Sequence, residues 1–102
     1  MSRRSTYEIL KATKARIKNP KNWCKGKFRI GRRYCAIGAL NAERGLYDSY
    51  IRDNAYEYLV YASAQLGYGD SVTIANDVAG HKAVMKIYDR AIRNAKRRHI
   101  EG

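Results

Sequence analysis

One cysteine stands where its thiol could act as a nucleophile. Cys35 comes directly before the small-residue run 36–39, which predicts the start of a helix. The positive end of that helix and the neighbouring Arg32 and Arg33 would both lower the pKa of the thiol. An activated cysteine of this kind is the first requirement of a thiol hydrolase.

The chain also offers a base and an orienting group for this thiol. His81 would be the base, with Asp77 or Asn76 to orient it, although residue order alone is weak support for such a set. No local motif of a thiol-enzyme family surrounds Cys35. We favour the alternative, in which Cys35 is a small buried residue packed between an aromatic residue and the alanine run. The sequence therefore predicts a non-enzymatic protein with no catalytic residues.

Metal and cofactor chemistry find little support. The candidate ligands lack the short paired spacings of a zinc site; they are Cys24, Cys35, His81 and His99. The chain has no phosphate-binding glycine loop, dinucleotide fingerprint or HExxH motif. We predict neither a metal nor a cofactor.

Two polar or aromatic features leave alternatives open. Asn76-Asp77 is either a structural staple that joins a short helix to the last helix, which we favour, or the wall of a polar pocket. The chain also has nine tyrosines, which crowd its middle segment. Those off the core stripe, such as Tyr50, Tyr61 and Tyr56, belong either to a binding face or to ordinary amphipathic packing.

Positive charge dominates the composition and is concentrated at the two ends. The chain has 21 lysines and arginines against 9 acids, a formal net charge of +12. Residues 1–35 carry a net +11, residues 36–81 a net −4 and residues 82–102 a net +5. If the two ends fold side by side, they form one cationic face that attracts polyanions such as nucleic acid. Solvated charge without a specific ligand is the alternative.

We predict that this face binds nucleic acid or a nucleoprotein through phosphate contacts that do not read sequence. The predicted contact residues are Lys11, Lys14, Lys18, Lys25, Lys27, Arg29, Arg32, Arg33, Arg93, Lys96, Arg97 and Arg98. The alternative partner is an acidic surface of a host or defence protein. No apolar run approaches the length of a membrane span, and no secretion signal is evident, so we expect a cytoplasmic protein with reduced thiols.

Helical periodicity predicts a mainly α fold, a single-domain helical bundle over residues 1–102 with three main helices and two short ones. The capping-box pair Ser5 and Glu8 begins the first helix, over residues 5–18. The second, short helix follows Cys35 and ends at Gly45. The last main helix is expected over residues 82–98. Its predicted buried face is Ala83, Val84, Ile87, Tyr88, Ala91, Ile92 and Ala95.

Between these helices the pattern is less regular. Residues 24–35 predict a short hairpin with its turn at Gly31-Arg32, which places Cys35 opposite Phe28 and disfavours a disulfide between Cys24 and Cys35. Asp48 or Ser49 would cap a middle helix that runs to about Gln65. One or two helical turns are expected over residues 71–81.

The motifs together resemble a known family. Trp23 with Gly26, the segment 34–40, and Asn76-Asp77 with Gly80 follow the pattern W…G…CAxGAL…ND…G. This pattern is similar to that of an uncharacterised family of small bacterial and bacteriophage proteins, over roughly residues 5–95. The resemblance implies no activity. Members often have arginine where this chain has His81, which counts against a catalytic triad. A small basic member is typical of a phage accessory protein, which would act in the host cytoplasm.

Overall fold

Four α-helices and a two-stranded hairpin make up the part of the chain that the structure describes. The structure is a computed structural model, and it describes residues 4–45 and 53–101, without the side chains of residues 98–101. In chain order the elements are α1 (Thr6–Ile17), a 3-10 turn (Pro20–Asn22), β1 (Arg29–Ile30), β2 (Arg33–Tyr34), α2 (Ala36–Arg44), α3 (Asn54–Gln65) and α4 (Val72–Glu101). The predicted mainly α fold with a hairpin is confirmed.

The first helix begins at the predicted capping box. Ser5 Oγ accepts from the Glu8 amide at 3.1 Å, and a Glu8 carboxylate oxygen accepts from the Ser5 amide at 3.0 Å. These two bonds satisfy backbone donors that a helix start leaves without partners. The buried residues Leu10, Thr13 and Ile17 recur at helical spacing and form the face of α1 that meets the core.

The hairpin has the predicted register. Arg29 pairs with Tyr34 and Ile30 with Arg33, so the turn is Gly31-Arg32. Cys35 lies opposite Phe28 and donates its amide to the Phe28 carbonyl at 3.1 Å. Both cysteines are free thiols, as the geometric argument against a disulfide predicts.

The short helix α2 depends on close approach to the hairpin. Gly38 lies in its first turn, where an added Cβ would stand 1.8 Å from the carbonyl oxygen of Phe28. Only glycine lets the two backbones come this near. The helix ends at Gly45, whose φ of 73° is the left-handed conformation of the predicted C-cap.

The predicted start of the middle helix is wrong. Asp48 and Ser49 lie outside the described residues, but Asp53 has an extended backbone and cannot lie inside a helix that runs on from them. The Asp53 carboxylate instead accepts from the Tyr56 amide at 3.0 Å, so Asp53 is the N-cap and α3 begins at Asn54. The predicted end at Gln65 is confirmed.

The long helix α4 is interrupted at Gly80. Its φ of 89° and ψ of −176° are not helical, so residues 72–79 and 81–101 form two helical segments with different directions. The residues of the predicted buried face are buried, apart from Ile92, which is half-buried. Tyr88 is fully buried and donates its hydroxyl to the Ala36 carbonyl at 2.7 Å, which joins α4 to the start of α2. All four helices contribute to one core.

Candidate functional site

Asn76 is the centre of a buried hydrogen-bond network. Its Oδ1 accepts from the Trp23 indole nitrogen at 2.7 Å and from the Ala36 amide at 2.9 Å. Its Nδ2 donates to the Cys24 carbonyl at 3.1 Å and to Asp77 Oδ1 at 3.0 Å. The amide thus uses two acceptor and two donor positions, which satisfies a fully buried polar side chain.

Asn76 is therefore a staple, although it does not join the elements we expected. The sequence predicted a link from the short helix to the last helix. The bonds instead run from the segment 72–79 to Trp23, Cys24 and Ala36. The backbone at Gly80 already joins the two helical segments of α4. The side chain of Asn76 instead holds the distant segment 23–36.

Asp77, the second residue of the Asn76-Asp77 pair, lines a cleft, as the alternative interpretation of this pair as a pocket wall predicts. Its Oδ1 accepts from the Gly26 amide at 2.9 Å, which fixes the carboxylate at the start of the hairpin segment. An open cleft of about 500 Å³ lies beside it, between the hairpin and the segment 72–79. The lining residues are Gly26, Lys27, Phe28, Arg29, Cys35, Thr73 and Asp77.

Cys35 has the environment of a structural residue. It is the N-cap of α2, where its Sγ accepts from the Gly38 amide at 3.3 Å, and its side chain is buried. Burial raises the pKa of the Cys35 thiol, and the backbone hydrogen bonds of Gly38 and Ile37 only partly offset this effect. A buried, protonated thiol is the opposite of what a nucleophile requires.

The other members of the candidate thiol-hydrolase set have separate contacts. His81 Nε2 lies 2.7 Å from the Ile17 carbonyl oxygen, and the imidazole packs edge-on against the Trp23 ring with 5.6 Å between centroids. Asp77 is bound to Gly26 and Asn76. His81 therefore helps to hold the end of α1 against the start of the segment 81–101. Within the described residues, no group of three histidine, cysteine or acidic side chains is placed to hold a metal ion.

The first and the last helix, α1 and α4, pack side by side. The start of the segment 81–101 lies at the end of α1, through the contact of His81 with Ile17. Farther along, Lys14 Nζ lies 2.5 Å from Asp89 Oδ1. From the first contact to the second, the residue number rises from 81 to 89 on α4 and falls from 17 to 14 on α1. The two helices therefore run antiparallel.

The ion pair of Lys14 with Asp89 brings two basic stripes together. On α1, Lys11 and Lys18 lie three and four residues from Lys14 and so share its flank. On α4, the exposed face carries Lys82, Lys86, Arg93, Lys96 and Arg97 around Asp89. We call Lys11, Lys14, Lys18 and these five α4 residues the α1–α4 basic surface.

The hairpin cations form a second basic region. Lys25, Lys27, Arg29, Arg32 and Arg33 are all exposed. The guanidinium groups of Arg16 and Arg29 each lie 5.8 Å from the centroid of the Tyr34 ring.

This second region lies on a different flank of α1. Arg16 pairs with Glu43 of α2 at 2.6 Å, so it marks the flank of α1 that faces α2 and the hairpin. Two residues along a helix point about 200° apart, so Lys14 and its partner Asp89 mark the other flank. The structure thus brings Lys11, Lys14, Lys18, Arg93, Lys96 and Arg97 together and sets the hairpin cations apart. The side chain of Arg98 lies outside the described residues.

Two cations of this surface were missing from the predicted contact set. Lys82 and Lys86 are exposed, and they lie seven and three residues before Asp89, on the same face of α4. The periodicity of the last helix already placed them opposite its buried face. This periodicity was sufficient to add Lys82 and Lys86 to the predicted contact residues.

The tyrosines divide between packing and exposure. Tyr56 and Tyr58 are half-buried and pack against the core, whereas Tyr61 is 61% exposed. Tyr47 and Tyr50 lie outside the described residues. Among the described residues, no helix combines the length and the apolar character that crossing a membrane requires.

Comparison with known proteins assigns a family to this arrangement. The profile of a family described as "Family of unknown function (DUF6197)" matches residues 1–94. The chain belongs to this family. The matched range includes the whole Asn76 network, the cleft and most of the α1–α4 basic surface. The chain has no significant match among curated proteins or among solved structures.

Proposed function

We propose that this member of the family is a small, non-enzymatic binding protein that holds nucleic acid, or a nucleoprotein, on the α1–α4 basic surface. The observation that supports it is the antiparallel packing of α1 against α4 with Lys14 and Asp89 in contact. This packing brings together basic faces of two helices that are far apart in the sequence. A phage or bacterial accessory protein in the cytoplasm would meet nucleic acid there.

The electrostatics of the surface favour a polyanion over a small acid. Its lysines and arginines extend along both helices, and the phosphate backbone of a duplex presents a continuous row of negative charges. Asp89 forms an ion pair with Lys14 at the seam. Like charges at this density repel each other in the unbound protein, and a bound polyanion relieves that repulsion.

The test is binding to fluorescently labelled DNA and RNA duplexes, measured by anisotropy over a range of salt concentrations. We expect the logarithm of the association constant to fall linearly with the logarithm of salt. The variant K82Q/K86Q/R93Q should reduce the slope by up to about 3, roughly one for each phosphate that the variant no longer neutralises.

The matched control is K25Q/R32Q/R33Q, which removes the same charge from the hairpin. It should reduce the slope less than K82Q/K86Q/R93Q does. Equal losses for both variants would mean that total charge, and not this surface, governs binding. Absence of binding to either duplex at low salt would overturn the proposal.

The alternative partner, an acidic protein surface, is distinguished by nuclease treatment. A protein that is captured from nuclease-treated lysate by the wild-type chain, and not by K82Q/K86Q/R93Q, would favour that alternative. Thiol hydrolase activity is less well supported, because Cys35 is buried with a raised pKa and His81 contacts a backbone carbonyl.

A further inference from the structure

The outer edge of β1 has backbone groups that do not pair within the hairpin. In an antiparallel pair, hydrogen-bonded and non-hydrogen-bonded residue pairs alternate. Cys35 bonds to Phe28, so the next pair, Arg29 with Tyr34, is a non-hydrogen-bonded one. The Tyr34 carbonyl accordingly points away from β1 and accepts from the Cys24 amide at 3.0 Å. By the same rule, the Arg29 amide and carbonyl point away from β2.

This edge borders the open cleft. Arg29 lines the cleft with Lys27 and Phe28, and Thr73 and Asp77 of the segment 72–79 stand opposite. Within the described residues, no hydrogen bond reaches the Arg29 amide or carbonyl. A strand edge of this kind beside a cleft of about 500 Å³ is the arrangement in which an extended peptide adds a strand.

The charges in the cleft select the kind of peptide. Lys27 and Arg29 are exposed and stand on the hairpin wall, so this wall attracts carboxylates. Arg29 Nε donates to the Gly31 carbonyl at 2.7 Å, and the guanidinium lies 5.8 Å from the centroid of the Tyr34 ring, so these two contacts orient the group. Asp77 on the opposite wall would repel a carboxylate, so the acidic side chains must face the hairpin.

Three exposed aliphatic side chains directly follow residues that line the cleft. Ile74 is 62% exposed and Val78 is 82% exposed, one turn apart on the segment 72–79. Ile74 follows the cleft residue Thr73 directly. On the hairpin side, Ile30 is 49% exposed next to Arg29. Exposed aliphatic side chains next in sequence to the cleft residues favour a partner that brings apolar side chains of its own.

We propose that the cleft between β1 and the segment 72–79 binds an extended, acidic and partly apolar segment of a partner protein. The segment pairs through main-chain hydrogen bonds with Arg29. Its carboxylates contact Lys27 and Arg29, and its apolar side chains pack on Ile74 and Ile30. This interface is independent of the α1–α4 basic surface.

The test is selection of a phage-displayed random peptide library on the immobilised full chain, followed by affinity measurements on the enriched peptides. We expect them to alternate acidic and apolar residues. The variant K27E/R29E should weaken their binding by at least about tenfold. N-methylation at one alternating set of peptide positions should abolish it, because only a paired strand needs those amide hydrogens.

Three controls separate this site from general charge and from folding. R32E/R33E makes the same charge change on the same hairpin outside the cleft, and it should keep most of the affinity. I74D alters only an exposed side chain, so it should weaken binding without lowering the melting temperature. K82Q/K86Q/R93Q should bind the peptides as the wild type does even where nucleic acid binding is abolished. Failure to enrich any peptide, or equal losses for K27E/R29E and R32E/R33E, would overturn the proposal.

Discussion

The Trp23 indole nitrogen donates to Asn76 Oδ1 at 2.7 Å across 53 positions of the sequence. The same oxygen accepts from the Ala36 amide, and the Asn76 amide nitrogen donates to the Cys24 carbonyl. One side chain therefore connects the 3-10 turn region, the hairpin segment and the start of α2 to the segment 72–79. The W, CA and ND parts of the sequence pattern meet at this residue.

Replacement of Asn76 should destabilise the protein strongly. N76A leaves the half-buried Trp23 indole and the buried Ala36 amide without their acceptor, so we expect a loss of about 3 kcal/mol in the free energy of unfolding. Urea denaturation measures it. As a control, N94A removes only a surface bond to Gln65 and should change stability by less than about 0.5 kcal/mol. Trp23 is the one tryptophan of the chain, so its indole N–H gives a single signal. Loss of hydrogen-exchange protection at this N–H in N76A would show that the destabilisation arises in the Asn76 network.

The substitution G38A should reverse the usual sign of glycine replacement in a helix. Alanine favours helix by about 1 kcal/mol over glycine. Here the added methyl group would overlap the Phe28 carbonyl oxygen, so the hairpin must move and stability should fall by about 2 kcal/mol or more. A64G, at an exposed position of α3, should lose only the helix preference. A G38A protein as stable as the wild type would show that α2 and the hairpin are not in close contact.

Glu43 should make stability depend on pH. Its burial acts to raise its pKa, but the hydrogen bonds and charges of Arg16 and Arg4 outweigh burial and lower the pKa below the ordinary value of 4.5. A lowered folded-state pKa stabilises the native protein above the unfolded-state pKa, and this stabilisation is lost as pH falls through the folded-state value.

We therefore expect E43Q to be less stable than the wild type by about 1 kcal/mol at pH 7, with a difference that shrinks below about pH 4. Thermal unfolding of both proteins across this range measures it. D70N, which alters an exposed acid, should follow the wild-type curve. A difference between E43Q and wild type that is constant at every pH would contradict the assignment.

The two cysteines should react slowly and at similar rates. Both are buried, and burial raises the pKa of each thiol. Iodoacetamide labelling of the native protein near pH 7, followed by peptide mass spectrometry, should give slow modification at both sites. Labelling should become fast in urea, where the thiols are exposed. Preferential labelling of Cys35 in the native protein would restore the nucleophile hypothesis.

The sequence alone determined the features that depend on near neighbours. The Ser5–Glu8 capping box, the left-handed cap at Gly45 and the hairpin turn at Gly31-Arg32 are each set by residues within a few positions. The buried face of the last helix follows from its periodicity in the same way. Short-range signals failed at the start of α3, because Asp48, Ser49 and Asp53 are all suitable N-caps and local chemistry does not rank them.

Only the tertiary structure decided how distant side chains meet. The sequence marked Asn76 as a staple, but three of its four partners lie 40 to 53 positions away and depend on how the segment 72–79 packs beside the hairpin. The sequence also could not decide whether the positive charges of the two ends share one surface, because net charge does not show which face of the protein carries it. The antiparallel contact of Lys14 with Asp89 joins α1 and α4, while the contact of Arg16 with Tyr34 places the hairpin cations on another flank. Periodicity assigns a side chain to a face of its helix, and the packing of the core determines what that face meets.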